Sequence, residues 1–242
     1  MALIDYGAFL GPPSPQRLLI FFCRIDKYYM LIRRFVNASF RLLIRTNWEE
    51  KTCKLYNDIL TSEKGPLWYV PMRTGICPTW TLNSPTDTRV PLGLPNHLSD
   101  IYLEELNRAS AVTSEQKPLP VPLGPLLDPF ILLMAQTPTV AVYKRIHSVL
   151  LIPLLEALGT PSRSDDEPSS KRIRRDLDSY SDLIANACFD DPQAGRTDSA
   201  ELKKRLLKRV FEIASHPETK DASRRKMYAL WKERAEEDDL WW

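Results

Sequence analysis

Apolar residues recur every three to four positions, the period of an α-helix, in nearly every segment of this chain that could contribute to a core. The chain has only eight glycines, and no segment alternates cleanly enough between apolar and polar residues to indicate a strand. We therefore predict an all-α protein. The predicted helices span residues 26–48, 48–60, 98–109, 126–135, 140–157, 177–189, 199–214 and 220–237.

The connections between these helices differ in character. The first two helices meet at Asn47, the predicted N-cap of the second, and are expected to form an antiparallel hairpin. Six prolines from Pro66 to Pro95 exclude a continuous helix there. Pro153 should kink the helix over 140–157. Short helices with wide apolar faces in succession are what a stack of helical repeats requires, although no clean sequence period is visible.

The first predicted helix, Asp26 to Trp48, has an apolar side and a basic side. At 100° per residue, its apolar side is predicted to consist of Tyr28, Ile32, Phe35, Val36, Ser39 and Leu43. The opposite side carries Lys27, Arg34, Arg41 and Arg45, which we call the basic stripe. These cations either solvate the outer face of a packed helix or contact phosphate or an acidic partner.

The overall charge and the cysteines limit the functional classes. With 33 basic and 31 acidic residues, the net charge is only +2, so any affinity for nucleic acid must come from local patches. The four cysteines are widely separated, without a CxxC pair, which favours a reducing compartment. The longest apolar stretches, around 18–23 and 149–158, are too short to span a bilayer, so we expect no membrane partner.

We predict four regions along the chain. An irregular, proline-rich start covers 1–24, a helical repeat domain 25–158, a disordered linker 159–178 and a helical tail 179–242. The linker contains Lys171, Arg172, Arg174 and Arg175, which we call the linker cluster. This cluster is typical of a nuclear localisation signal, and the alternative is a basic tether that touches RNA nonspecifically.

The tail contains a second basic surface. Its helix over 199–214 spaces Leu202, Leu206, Val210 and Ile213 on one face. Lys203, Lys204, Lys208 and Arg209 occupy the rest, and we call these four the tail basic face. We interpret it as a further candidate contact for RNA or an acidic partner.

The search for catalytic chemistry is negative. The sequence contains no GxxxxGK[ST], GxGxxG, GxSxG or HExxH motif, and the three histidines lie on separate predicted elements. Adjacent Glu104 and Glu105 diverge by about 100° on a helix, so we interpret them as surface and interface charges. We therefore predict no enzyme, no metal site, no cofactor and no small-molecule substrate.

Three segments together resemble the nucleolar ribosomal-RNA-processing protein one family. They are DKYYMLIRRFVNASFRLL from Asp26, PTDTRVPLGLPNHLSDIYLEEL from Pro85 and LLDPFILLMAQTPTVAVYKRIHSVLLIPLLEAL from Leu126. The resemblance implies a HEAT-like stack of antiparallel helix pairs in the nucleus and nucleolus. It also implies a non-enzymatic scaffold in pre-ribosomal particles, required for processing of the internal transcribed spacer region and for large-subunit biogenesis. Its partners would be precursor rRNA and other assembly factors. The alternative function is a nuclear helical adaptor that makes no RNA contact.

The chain departs from the family pattern in three places. The family has further helices before the position of Asp26, so the chain looks N-terminally shortened. Residues 67–84 look like an irregular insertion between two pieces that the family joins closely. The part after Gly159 resembles the family only in style. On the family interpretation, the basic stripe becomes a contact for rRNA phosphate or for an acidic assembly factor.

Overall fold

The computed structural model describes residues 15–63, 65–67, 93–111, 118–159 and 180–236, and the side chains from residue 26 to residue 235 within those ranges. Its helices are α1 (Pro15–Arg45), α2 (Glu50–Thr61), α3 (Gly93–Ala111), α4 (Leu123–Gln136), α5 (Val140–Ile146), α6 (Ile152–Gly159), α7 (Ser181–Ala185), α8 (Ser199–Ser215) and α9 (Asp221–Glu236). The predicted all-α stack of helices is confirmed.

The first helix begins earlier than the sequence pattern predicted. α1 begins at Pro15, so the expectation of an irregular start was wrong for residues 15–24. Proline is tolerated at the first position of a helix, because its φ is already helical and its missing N–H would have no partner there. The prolines that indicated an irregular segment are therefore compatible with a helix that starts at the last of them.

The turn between α1 and α2 is also different from the prediction. Asn47 and Trp48 both have positive φ, 52° and 57°, and form a left-handed turn. Residue Glu49 precedes α2, so Asn47 is not its N-cap and Trp48 is not helical. The Trp48 side chain is buried at 3% exposure and donates from Nε1 to the carbonyl of Leu119 at 3.2 Å. This turn is therefore held by the core.

The core joins α1, α3 and α4 through aromatic rings. Phe40 and Tyr102 meet edge-on with centroids 5.1 Å apart, and Tyr102 meets Phe130 edge-on at 4.5 Å. The Tyr102 hydroxyl donates to the carbonyl of Leu126 at 3.0 Å. α1 packs mainly on α3, and α2 packs mainly on α4. The predicted α1–α2 hairpin therefore contributes little contact, because each helix uses its apolar face against a later helix.

Between α5 and α6 the chain forms a π-helical turn, His147–Leu151. The N–H of Ile152 donates to the carbonyl of His147, five residues earlier. Pro153 follows directly and has no N–H to continue an α-helical pattern. The predicted kink at Pro153 thus takes the form of a widened turn just before it.

The C-terminal helices belong to the same core as the rest. α8 packs against α4 and α6, α9 packs against α8 and α4, and their buried residues join one hydrophobic cluster with those of α1 to α6. The described part of the predicted helical tail, residues 180–236, is therefore mostly helical and packs into the same core as the preceding helices. α7 is shorter than predicted, because the chain continues into a strand after Ala185.

Two short strands tie the halves of the described chain together. β1 (Val121–Pro122) pairs in parallel with β2 (Ala187–Cys188), with Val121 opposite Ala187. Two-residue strands are too short to show an alternating pattern, so they could not be predicted from the sequence. Gly124 follows β1, and a side chain there would lie 2.9 Å from the carbonyl oxygen of Phe189. Among the described helices, none is long and apolar enough to cross a membrane.

Candidate interaction surface

The basic stripe lies on the outer side of α1. Its four members, Lys27, Arg34, Arg41 and Arg45, are all exposed. Their spacing of seven, seven and four residues places them on one side of the helix. None of them forms an ion pair with a residue in the described part of the chain. The stripe can therefore meet an external anion, and its binding role stays a prediction.

The buried side of α1 is rotated relative to the predicted one. Val36, Phe40 and Leu43 are at most 8% exposed and face the core. Tyr28 and Phe35, which were predicted to pack, are 52% and 66% exposed, so the prediction was wrong for these two residues. The packed side is thus centred on Phe40, which the predicted apolar face did not include.

A polar network on α3 explains this rotation. Glu105 is 1% exposed and receives Arg33 of α1, with 3.1 Å between Nε and Oε1. Asn37 donates from Nδ2 to Oε2 of Glu105 at 3.0 Å, and Arg108 donates to Oε1 at 2.8 Å. Glu104, which is exposed, pairs with Arg33 and Arg108. The interpretation of Glu105 as a surface charge was therefore wrong, because two α1 side chains cover it.

Because polar residues of α1 turn inward, apolar residues remain outside. On α1, Leu31 is 50%, Phe35 66% and Leu42 57% exposed. On α2, Leu55 and Ile59 are each 59% exposed. Leu31 and Leu42 were not predicted as surface residues, although at 100° per residue both project close to the basic stripe. The outer face is therefore mixed apolar and cationic.

The tail basic face is only partly formed. Lys208 is exposed and Lys204 is half-buried. Lys203 is 5% exposed, and Arg209 donates from Nε and Nη2 to the two carboxylate oxygens of Asp128 at 2.8 and 2.7 Å. The prediction of an exposed face was therefore wrong at Lys203, and Arg209 is engaged within the protein. The reason is that α8 packs on both α6 and α9, so it buries two sides.

The cavity beside α8 has no net positive character. It has a volume of about 660 Å³ and is lined by four cations and four carboxylates. The cations are Lys204, Arg205, Lys208 and Arg209, and the carboxylates are Asp128, Asp190, Glu201 and Glu212. Arg205 pairs with Glu201 at 2.8 Å in addition to the Arg209 pair. This arrangement favours internal ion pairs over capture of an anion.

One predicted feature lies wholly, and another almost wholly, outside the described residues. The linker cluster, Lys171, Arg172, Arg174 and Arg175, lies outside them, so its role as a localisation signal stays a prediction. Within the expected insertion at 67–84, the structure describes only Leu67, which is fully buried.

Two of the histidines, His97 and His147, and the two cysteines with described side chains pack against other residues of the fold. His97 stacks on Tyr29 with ring centroids 4.2 Å apart, and His147 stacks on Tyr143 at 5.9 Å. His216 directly follows α8. In the described ranges, no group of three histidine, cysteine or acidic side chains is arranged to hold a metal ion. Cys53 and Cys188 are buried free thiols, and burial raises the pKa of both.

Comparison with known proteins identifies relatives along nearly the whole chain. The family model described as "Nucleolar protein, Nop52" matches residues 20–231. A human protein named ribosomal RNA processing protein 1 homolog B is 36% identical over 85 residues, which is 35% of this chain and 9% of the relative. The human homolog A is 24% identical over 86% of this chain and 46% of its own length. The Dictyostelium discoideum homolog is 24% identical over 86% of this chain and 37% of its own length.

These matches extend the resemblance seen in three segments. Each aligned region covers less than half of the relative. The family match includes α8 and most of α9, so the expectation that the part after Gly159 is similar only in style was wrong. The resemblance to the nucleolar ribosomal-RNA-processing protein one family is confirmed. With its all-α stack and a family match over most of its length, this chain belongs to the Nop52 family of nucleolar proteins.

Proposed function

We propose that this protein is a non-enzymatic scaffold in nucleolar pre-ribosomal particles. It acts in rRNA processing, in the internal transcribed spacer region, and so in large-subunit biogenesis. Family membership and the names of the relatives support a role in rRNA processing. The partners are precursor rRNA and other assembly factors.

The exposed basic stripe is the observation that carries the scaffold role. Four cations project outward from α1 without internal ion pairs among the described residues, while the neighbouring Arg33 is turned inward onto Glu105. The inward pairs fix the rotation of α1, and the outward cations are therefore presented in a fixed array. A fixed surface array without a catalytic cluster suits binding and positioning of other components.

Replacement of the protein in cells tests this function. In the quadruple variant, Lys27, Arg34, Arg41 and Arg45 are all changed to Glu. This variant should no longer sediment with pre-ribosomal particles in a sucrose gradient, and spacer-containing rRNA precursors should accumulate. All four residues are exposed, so the variant should fold. A matched control reverses four exposed cations outside the predicted basic surfaces: Lys144→Glu, Arg196→Glu, Arg225→Glu and Lys226→Glu.

The control separates a specific surface from net charge, because both variants change the charge equally. Normal sedimentation and normal precursor levels in the stripe variant, with the folded state verified by circular dichroism, would contradict the proposal. Equal defects in both variants would also contradict it. Nuclease treatment before sedimentation separates attachment through RNA from attachment through protein, which is the adaptor alternative.

A further inference from the structure

The apolar residues on the outer side of α1 have a regular spacing. Leu31, Phe35, Ala38 and Leu42 follow one another at intervals of four, three and four residues, and all four are exposed. We call this row the outer seam. Intervals of four and three are the spacing with which one helix packs along another. α1 therefore presents a second helix-packing seam, on the side away from α3.

The basic stripe flanks this seam in register. Lys27, Arg34 and Arg41 are each seven residues apart, and Arg34 and Arg41 directly precede Phe35 and Leu42. In a pair of packed helices, charged residues in such flanking positions select a partner of opposite charge. Between Lys27 and Arg45 the sequence contains no acidic residue. The seam is therefore bordered by cations alone.

Exposed apolar side chains are concentrated at this end of the stack. Among the described residues, nine large hydrophobic side chains are markedly exposed, and seven of these lie on α1 and α2. The other two are Val140 and Phe211. Single exposed apolar residues are ordinary, but a concentration on neighbouring helices is typical of an interaction surface.

RNA, a second copy of this chain and an acidic helix of another protein would each contact this face differently. RNA would use the cations and could stack a base on Phe35, but it would leave Leu31 and Leu42 without a suitable contact, because aliphatic side chains offer no ring on which a base can stack. A second copy of the same face would bring no carboxylate to the stripe, and in an antiparallel pair it would set cation against cation. A helix with an apolar row and flanking carboxylates satisfies the seam and the stripe together.

We propose that the outer face of α1 is the docking surface for an acidic amphipathic helix of a partner protein. This deepens the scaffold role and rests on it, since it states what the scaffold holds. The segment from Lys27 to Arg45 is about 27 Å long, so the partner helix has about 18 residues. Its apolar row packs on the outer seam, and its Asp and Glu residues pair with Arg34 and Arg41.

Site-specific photo-crosslinking in the full chain tests the proposal. Benzoylphenylalanine replaces Phe35 or Leu42 in cells, and replaces Val140 in the control, because Val140 is comparably exposed at 53%. The adducts are analysed for both peptides and nucleotides. We expect the Phe35 and Leu42 probes to react with one protein segment that has an apolar helical period and flanking acidic residues. The Val140 probe should not react with it.

A synthetic peptide of the crosslinked segment then tests the chemistry. Phe35→Ala should weaken its binding about tenfold, and Arg34→Glu with Arg41→Glu should weaken it at least as much. A peptide with its acidic residues changed to lysine should bind the charge-reversed protein and not the wild type. Val140→Ala serves as the matched control, with no change in affinity. Phe35 is 66% exposed, so its replacement does not open the core.

Several outcomes would overturn the proposal. Nucleotide adducts at Phe35 and Leu42 would assign the face to RNA, and adducts with the chain itself would assign it to a second copy. Adducts no stronger than those at Val140, or a peptide that ignores the charge reversal, would remove the docking role. If the wild-type protein never sediments with pre-ribosomal particles, the scaffold function fails, whereas the crosslinked segment still decides the docking proposal separately.

Discussion

Arg33 of α1 and Glu105 of α3 form an ion pair in which the carboxylate is 1% exposed and the guanidinium remains about one-third exposed, with 3.1 Å between Nε and Oε1. Arg108 and Asn37 complete the set of donors to the carboxylate. A buried carboxylate requires such partners, because removal from water is strongly unfavourable unless its hydrogen bonds are replaced. This cluster therefore fixes the rotation of α1 on α3.

Replacement of Glu105 should destabilise the fold more than replacement of its neighbour. Glu105→Ala should lower the free energy of unfolding by about 2–3 kcal/mol, because three donors lose a charged acceptor at a buried site. Glu104→Ala should lower it by less than about 1 kcal/mol, because Glu104 is 47% exposed. Urea denaturation followed by tryptophan fluorescence measures both values, and equal losses would contradict the role of Glu105.

Arg209 should matter for stability through its two-point contact with Asp128. Arg209→Lys keeps the charge but loses the paired donors at 2.7 and 2.8 Å, and we expect a loss of about 1 kcal/mol. Lys208→Ala is the matched control, since Lys208 is exposed on the same helix and should change the unfolding free energy by less than about 0.5 kcal/mol. A similar loss in both variants would show that the paired geometry is unimportant.

Cys188 should be unreactive in the folded protein. Burial raises the pKa of its thiol from 9.0 to about 12, and the carboxylates of Asp191 and Asp190 act in the same direction. At pH 8 the thiolate population is then about a thousandfold lower than for an ordinary thiol. In a Cys23→Ser, Cys53→Ala, Cys77→Ser background, which leaves Cys188 as the one thiol, Ellman's reagent should leave Cys188 unmodified until guanidinium chloride unfolds the chain. Rapid reaction of Cys188 in the native protein would contradict its burial.

His147 should make the fold less stable as the pH falls. Burial lowers the pKa of its imidazole, with Arg234 acting in the same direction and Glu233 against it. The unfolded chain takes up this proton at about pH 6.5, whereas the folded chain needs a lower pH, so acidification through that range favours unfolding. His147→Gln should flatten the fall in unfolding free energy between about pH 7 and pH 5.5.

A single comparison decides this prediction. If the His147→Gln protein loses unfolding free energy between about pH 7 and pH 5.5 as steeply as the wild type does, the pH dependence does not come from burial of His147.

The helices were predictable from sequence because each has an apolar period that reflects one packed side. In α3, for example, Leu98, Ile101, Tyr102 and Leu106 are all at most 3% exposed, as their spacing predicts. Glu105 shares that side of α3 by its spacing, but its α1 partners could not be predicted, because they lie about 70 residues away in sequence. Lys203 is buried because α8 packs against more than one helix. The apolar spacing within α8 does not show how many other helices surround it.

The candidate surface was predictable in part. The basic stripe follows from helix geometry alone, and its exposure agrees with the sequence analysis. The outer seam was present in the same pattern, but Phe35 was assigned to the packed side because a lone helix does not reveal which apolar residues its neighbours cover. The contacts of Arg33 and Asn37 with Glu105 of α3 determine which side of α1 is packed, and they leave Phe35 outside.

The pairing of β1 with β2, and the packing of α8 against α4 and α6, hold together parts of the chain that lie on either side of residues 160–179. A protease cut anywhere between Gly159 and Tyr180 would therefore yield two fragments that stay associated. Such a nicked protein would elute at its original size under native conditions and separate only in denaturant. On the prediction that the linker cluster is a localisation signal, an import receptor could bind it without breaking the contacts that join the two parts of the fold.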